Sequence, residues 1–190
     1  MPLAIRELLH NIDKALAARQ RLGRDGNLLS MLEFAMTAKV KPIPDGYRSV
    51  TPYLIVNAGN TAIDFYKKIF GATEKMRIPG PDGKVGHAEM TIGDSVIMLA
   101  DECAEMNARG PLTVGGSSVG ILLYVTDVDA VVTNAVASGA TLKHKVENKF
   151  YGDRSGTIQD PFGHIWHVST HVEDVPPAEL ERRVKEMSKS

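Results

Sequence analysis

The stretch DPFGHIWHVSTH, residues 160–171, joins a turn motif to three of the chain's six histidines. Asp-Pro-x-Gly is typical of a type I turn, and the alternating apolar and polar residues after it predict a β-strand. On a strand, neighbouring side chains point to opposite faces of the sheet. His164 and His167 therefore face opposite ways, while His167 and His171 lie about 13 Å apart along one face. These three histidines are not expected to bind one metal ion together.

The same stretch belongs to an internal repeat. Three pairs of segments recur in the same order at an offset of 68 or 69 residues: TPYLIV (51–56) with GILLYV (120–125), GAT (71–73) with GAT (139–141), and VIML (96–99) with IWHV (165–168). Three matches in the same order and at nearly the same spacing indicate two copies of one structural unit.

Each copy has the pattern of a β-α-β-β-β unit. A β-rich run is followed by a helical stretch, TAIDFYKKIFG in the first copy and DVDAVVTNAVASG in the second, where Asp127 is a candidate cap. A short strand and a hairpin come next, with GD and DPFG as the hairpin turns. The predicted fold class is α+β, with two tandem modules whose curved mixed sheets surround a cavity.

The pattern also predicts the limits of these parts. They are an N-terminal helical extension at 1–39, a first module with the start of the linker at 40–112, a second module at 113–174, and a C-terminal helical tail at 175–190. The apolar stripe of residues 3–22 needs the main body or another chain as its partner. The alternative is that residues 1–39 form a loosely ordered extension.

Composition excludes several classes of partner. The net charge is −1 and no segment is markedly basic, so nucleic acid and membrane surfaces are not expected partners. No apolar run approaches the length of a membrane span. Cys103 is the only cysteine, so neither an intrachain disulfide nor a CxxC metal site is possible. No secretory leader pattern is present, and a cytoplasmic protein is expected.

Strand parity selects the candidate site. If Leu54 and Val56 pack on the helices, the opposite faces of the strands line the cavity. Arg154, in the motif YGDRSG, is added because a guanidinium binds a carboxylate or phosphonate in a bidentate way; the alternative is an Asp–Arg pair that holds the loop. These residues give the mixed lining of a small-molecule pocket. The candidate ligand contacts are Tyr53, His87, Glu89, Met98, Tyr124, Arg154 and His167.

Four motifs carry a resemblance to a known family and together cover about residues 38–175: KPIPDGYRSVTPYLIV, AIDFYKKIFGATE, PGPDGKVGHAEMTIGDSVIMLADE and FYGDRSGTIQDPFGHIWHVSTHVEDV. With them the chain resembles the vicinal oxygen chelate superfamily, which includes glyoxalase I, bleomycin-resistance proteins, fosfomycin-resistance enzymes and extradiol dioxygenases, and within it the PhnB-like branch. The resemblance implies a cavity enclosed by two modules, and a homodimer. It also implies a start near Met36, where the family string MTAKVKPIPDGY begins.

The resemblance further implies four places for metal ligands. They hold Thr51, Met98, Gly120 and His167, of which only His167 is a good ligand. The expected function is therefore binding of a small molecule without a metal or other cofactor. The alternatives are a glyoxalase-type lyase or isomerase, or a dioxygenase-like enzyme, with a divalent metal at His87, Glu89 and His167 or with Glu89 and His87 as an acid–base pair. A scaffold role that depends on the N-terminal helix is a third reading. Whether the chain catalyses a reaction is left open.

Overall fold

A computed structural model describes residues 40–188 of the chain. The chain divides into two units, Met1–Asp45 and Gly46–Ser190. In the first unit only residues 40–45 are described, where the Lys41 ammonium lies 2.7 Å from a carboxylate oxygen of Asp45. The predicted helical extension at 1–39 lies outside the described residues.

The second unit contains two β-α-β-β-β modules, so the predicted α+β fold class is confirmed. The first module holds β1 (Tyr53–Val56), α1 (Gly59–Phe70), β2 (Thr73–Pro79), a 3-10 turn (Pro81–Gly83), β3 (Val85–Ile92) and β4 (Ser95–Asp101). The linker contains a single helical turn, α2 (Pro111–Val114). The second module and the tail hold β5 (Gly120–Tyr124), α3 (Val128–Ala137), β6 (Thr141–Asn148), β7 (Asp153–Gln159), β8 (Ile165–His171) and α4 (Pro177–Met187).

Each module has a four-stranded mixed sheet. The strand orders are β1-β4-β3-β2 and β5-β8-β7-β6, and in each sheet the first strand runs parallel to its neighbour while the others are antiparallel. The helical crossover makes the second strand of each module run parallel to the first, at the opposite edge of the sheet. Two antiparallel pairings then make the last strand parallel to the first, beside which it lies. No helix within residues 40–188 has the length and apolar character needed to cross a membrane.

The two main helices begin and end where the sequence dictates. α1 ends at Gly71, which adopts the left-handed conformation with φ of 64°. Its first turn is held by Asp101 at the end of β4, whose carboxylate accepts hydrogen bonds from the backbone N–H groups of Gly59 at 2.8 Å and Val85 at 2.7 Å. α3 is capped as predicted, since the Asp127 carboxylate accepts from the Ala130 N–H at 2.9 Å.

The helix-bearing faces of both sheets share one hydrophobic core. α1 contacts α3, and Phe70 of α1 lies with its ring centroid 4.6 Å from that of Trp166 on β8. Trp166 is 1% exposed, which agrees with the predicted strand parity. Because the modules are joined through their helix sides, the opposite face of each sheet is left partly exposed. We call these the open faces of module 1 and module 2.

A buried carboxylate connects the modules. One oxygen of Asp160 accepts from the Tyr66 hydroxyl of α1 at 2.7 Å and from the Trp166 indole N–H at 2.9 Å. The other accepts from the backbone N–H groups of Phe162 at 3.0 Å and His164 at 2.9 Å. Burial, and then the neighbouring Asp160 charge, raise the pKa of Tyr66 well above its ordinary value. The DPFG stretch is therefore both a hairpin turn and an intermodule contact.

We expect Tyr66→Phe to destabilise the protein by about 1.5–3 kcal/mol, because it removes a hydrogen bond to a buried charged acceptor. The ring packing is kept, so the effect isolates the hydroxyl. Urea unfolding measures the change. The matched control is Tyr151→Phe, on an exposed tyrosine, which should alter stability by less than about 0.5 kcal/mol. Equal effects of the two changes would refute the role of the Tyr66–Asp160 contact.

Candidate functional site

The open face of module 1 carries a chain of polar contacts that begins at Tyr53. The Tyr53 hydroxyl lies 2.9 Å from His87 Nδ1, and His87 Nε2 lies 3.5 Å from a carboxylate oxygen of Glu89. The other Glu89 oxygen accepts a hydrogen bond from the Tyr47 hydroxyl. Glu89 is only 5% exposed, so a charged group is held beneath the surface of this face.

Strand register explains why these residues meet. Met98 of β4 pairs with Tyr53 of β1 on one side and with Glu89 of β3 on the other, so the three side chains form one row. His87 shares a face with Glu89 because the two are two residues apart on β3. Lys75 adds a positive charge, with its ammonium 3.9 Å from a Glu89 oxygen and 4.1 Å from the centre of the Tyr47 ring. Four of the predicted contacts are therefore brought together.

The chemistry of this series of polar contacts depends on Glu89, the hydrogen-bond acceptor at its buried end. When Glu89 is ionised it only accepts hydrogen bonds, and this favours the His87 tautomer that donates from Nε2 and accepts from the Tyr53 hydroxyl at Nδ1. Burial raises the pKa of Tyr53, which keeps its phenol protonated at neutral pH. The arrangement has the order of a proton relay, Tyr53 to His87 to Glu89, with Tyr53 half exposed at its outer end.

The open face of module 2 holds His167 in a different setting. His167 Nδ1 lies 3.0 Å from the Thr157 hydroxyl of β7, directly opposite it in the register. The imidazole covers Gly120 on β5, because a Cβ added to Gly120 would lie 2.4 Å from His167 Nε2. Gly120 is thus a glycine because the His167 ring takes the space of its side chain. His167 lies on the face opposite Trp166, as predicted.

Tyr124 belongs to a second polar chain on module 2. Its hydroxyl donates to Asp153 at 2.8 Å, and this hydrogen bond is the main cause of the raised pKa of Tyr124. The second Asp153 oxygen lies 2.8 Å from His171 Nδ1. Sequence reasoning selected neither Asp153 nor His171 as a site residue. Two features of the sequence could have indicated them. Asp153 lies in the motif YGDRSG, and His171 is four residues from His167 and so faces the same side of β8.

The structure corrects the expected position of Arg154. Its guanidinium donates to both carboxylate oxygens of Asp129 on α3, at 2.6 and 2.7 Å, and to Asn148 at 3.1 Å. Because Arg154 alternates with Asp153 along β7, it lies on the helix side of the sheet rather than on the open face. The sequence had suggested an Asp–Arg pair as the alternative, but the partner is Asp129 and not the neighbouring Asp153.

A cavity of about 590 Å³ lies between β1 of module 1 and β5 of module 2, beneath the linker. This volume is within the range of small-molecule sites. Its wall is mainly apolar, and Arg109, His164 and Tyr53 are among the lining residues that have polar side-chain atoms. The lining residues are Val50, Pro52, Tyr53, Leu54, Ile55, Arg109, Pro111, Val114, Gly116, Ser117, Ser118, Val119, Gly120, Ile121, Leu122 and His164.

The cavity joins the predicted site at one residue. Of the seven candidate contacts, only Tyr53 lies in its wall, so the Tyr53–His87–Glu89 relay opens onto the cavity. Sequence reasoning missed the linker side of the cavity, including Arg109. Val114 and Val119 were the available signal, since two apolar residues in a glycine-rich linker need a surface to contact.

The residues at the four expected metal places do not fit a metal ion. Thr51 and Met98 are poor donors for a hard divalent cation, and at Gly120 the space for a ligand is taken by the His167 ring. Within residues 40–188, no three His, Cys, Asp or Glu side chains cluster closely enough to hold a metal. The members of the alternative trio lie on different modules, His87 and Glu89 on β3 and His167 on β8.

Comparison with known proteins is consistent with this architecture. Residues 48–168 match the model of the Glyoxalase/Bleomycin resistance protein/Dioxygenase superfamily. The uncharacterized protein Mb0911c of Mycobacterium bovis is 41% identical over 136 residues, which cover 70% of this chain and 90% of that protein.

Two solved structures share the fold. Protein PA1353 of Pseudomonas aeruginosa aligns with a TM-score of 0.55 and 23% identity over 66% of this chain and 99% of that one. A PhnB protein of Bacillus cereus aligns with a TM-score of 0.51 and 16% identity over 65% of this chain and 99% of that one.

The opposite placement of Trp166 and His167 predicts opposite phenotypes. Trp166→Ala should cost about 3–5 kcal/mol of stability, as the loss of a large core aromatic does. His167→Ala removes a side chain from the open face and should cost much less. Thermal or urea unfolding of both variants decides the point. A larger loss for His167→Ala would mean that the strand is displaced by one residue, which would exchange the two faces.

Proposed function

Because the chain belongs to the Glyoxalase/Bleomycin resistance protein/Dioxygenase superfamily, we propose that it binds a small molecule in the cavity between its modules. The observation that carries the proposal is the 590 Å³ cavity itself, with its mainly apolar wall and few polar groups. Binding of this kind requires no metal. This agrees with the residues at the four expected metal places, of which only His167 is a good ligand. The proposal places the protein with the bleomycin-resistance type of its superfamily, and within the PhnB-like branch.

The wall of the cavity also indicates the chemistry of the ligand. Apolar side chains from β1, the linker and β5 favour an aliphatic or aromatic body. Arg109 is exposed at the cavity and can donate two parallel hydrogen bonds to a carboxylate, sulfonate or phosphonate. Tyr53, on β1, adds a phenol to the same wall. We therefore propose an amphiphilic anion as the ligand class.

We further propose that the protein is a cytoplasmic homodimer. Leu122 and Tyr124 on the open face of module 2 are 56% and 57% exposed, and Tyr53 on the open face of module 1 is 49% exposed. Large side chains exposed side by side on a sheet face favour an interaction surface. A second copy that covers the open faces would bury these side chains and enclose the two polar chains. Light scattering on the eluting peak of a sizing column measures the mass.

A matched pair of fluorescent probes tests the cavity. Anilinonaphthalene sulfonate and N-phenylnaphthylamine share their rings, but only the first carries an anionic group. Both should bind the full chain. Val114→Glu places a charge in the cavity wall and should weaken both by about tenfold, or about 1.4 kcal/mol. Arg109→Gln should weaken only the sulfonate, because the neutral probe has no group for the guanidinium.

The controls are matched in kind. Val136→Glu changes an exposed valine of α3 that does not line the cavity, and Lys68→Gln removes an exposed charge from α1. Neither should alter binding. If neither probe binds, or if Val136→Glu weakens binding as much as Val114→Glu does, the cavity is not the site. If Arg109→Gln affects both probes equally, the anionic ligand class is wrong while the cavity stands.

The relay on module 1 favours a second candidate function, an enzyme of the lyase or isomerase type. Tyr53 is placed to take a proton from a bound molecule while its own hydroxyl proton passes to His87 Nδ1 and the His87 Nε2 proton passes to Glu89. This is general acid–base chemistry and needs only residues of module 1. The observation that favours it is the buried carboxylate behind the imidazole, an arrangement that fixes the tautomer of His87.

The metal-dependent version of this second candidate has its own test. We expect protein purified without chelators to contain far less than one zinc, nickel or iron per chain, because a catalytic zinc site needs about three protein donors. Elemental analysis of the full chain measures the content. One metal per chain, lost in both His87→Ala and His167→Ala, would contradict this expectation and favour a metalloenzyme.

A further inference from the structure

A chain of hydrogen bonds at one end of module 2 runs from the open face to the C-terminal segment. The Tyr124 hydroxyl donates to Asp153 at 2.8 Å, the other Asp153 oxygen lies 2.8 Å from His171 Nδ1, and His171 Nε2 lies 3.0 Å from an Asp174 oxygen. Asp153 is 4% exposed and fixed in β7, whereas the Asp174 carboxylate is fully exposed. His171 thus stands between one immobile carboxylate and one carboxylate of the segment after β8.

The protonation state of His171 decides how many of these bonds exist. An imidazolium donates at both ring nitrogens, whereas neutral imidazole has a single N–H. The charged groups that face His171 are Asp153 from β7 and Asp174 from the following segment. Without the proton, one carboxylate loses its donor and the two like charges lose the cation between them.

The segment that carries Asp174 is attached to the YGDRSG motif. The backbone N–H groups of Val172 and Glu173 both donate to the Gly152 carbonyl at 3.0 Å. Gly152 has φ of +100°, and a Cβ there would lie 2.1 Å from the Glu173 carbonyl oxygen, so only glycine permits this approach. Farther along, Arg183 of α4 donates to the Glu173 carboxylate and to the Phe150 carbonyl oxygen.

We propose that His171 is a proton-operated clasp that fastens the C-terminal segment to module 2 and joins it to Tyr124 on the open face. Protonated His171 closes the clasp between Asp153 and Asp174, and its deprotonation opens the outer link. The segment 172–187 then keeps the Gly152 and Arg183 contacts without the outer link. This inference is independent of the proposed ligand cavity, which shares none of these residues.

The direction of the pH dependence follows from the fold. Asp174, and then Asp153, raise the pKa of His171 above its ordinary value, because both carboxylates favour the charged ring. A group with a raised pKa in the folded state stabilises the protein fully below its unfolded pKa, about 6.5 for histidine. This stabilisation is lost as the pH rises through the higher pKa of the folded state. The clasp is therefore closed in mild acid and opens on the alkaline side of 6.5.

Two measurements on the full-length protein test the clasp. NMR titration of the His171 ring should give an inflection above the ordinary histidine value that falls in both Asp174→Asn and Asp153→Asn. Hydrogen-exchange protection of the Val172 and Glu173 amides, corrected for intrinsic rates, should fall several-fold as the pH rises through that inflection. His144→Gln, on the exposed strand β6, should leave both results unchanged.

Two substitutions of His171 separate the clasp from a merely structural role. His171→Gln should show the low protection at every pH. His171→Arg keeps a permanent positive charge and should retain protection in a pH-independent way. The proposal is overturned if the His171 inflection lies at or below the ordinary value. It is also overturned if protection in His171→Gln still follows the pH curve of the wild type.

Discussion

The buried carboxylate of Asp160 is the interaction on which the arrangement of the two modules depends. It accepts four hydrogen bonds, two from the backbone of its own turn and two from the side chains of Tyr66 and Trp166. A buried charge is tolerated only when it is fully hydrogen-bonded, so the turn, the indole and the phenol must all be in place together. Since Tyr66 comes from the other module, this requirement orients one module against the other through their helix sides.

The position of the cavity follows from that orientation. When the helix sides meet in one core, the edge strands β1 and β5 lie near each other without pairing, and the linker passes over the gap. His164 and Gly110 contact the free edge of β1 here, with His164 Nε2 3.1 Å from the Ile55 carbonyl oxygen. The gap thus has apolar walls from both modules. The His164 contact gives the Ile55 carbonyl group, on the unpaired edge of β1, a hydrogen-bond partner. The cavity is a consequence of joining two sheets by their helices instead of by their edges.

Sequence patterns predicted the features that depend on local periodicity. The β-α-β-β-β order and the opposite faces of Trp166 and His167 follow from repeat spacing and strand parity alone. The Asp160 contact could not be predicted, because its partner Tyr66 is 94 residues away and the DPFG motif is fully explained by its turn. The Arg154 error has a similar cause. Parity places Arg154 opposite Asp153, but only the packed position of α3 shows that Asp129 is there to receive it.

Two tyrosines illustrate how the same side chain acquires different chemistry in the two modules. The Tyr53 hydroxyl contacts the imidazole of His87, which in turn lies 3.5 Å from Glu89. Tyr124 donates directly to the Asp153 carboxylate, with no imidazole between them. The Tyr53 hydroxyl thus contacts a ring nitrogen that can donate or accept, whereas the Tyr124 hydroxyl donates to a carboxylate. The repeated fold therefore gives the same residue type different hydrogen-bond partners on the two open faces, although both modules follow the same strand pattern.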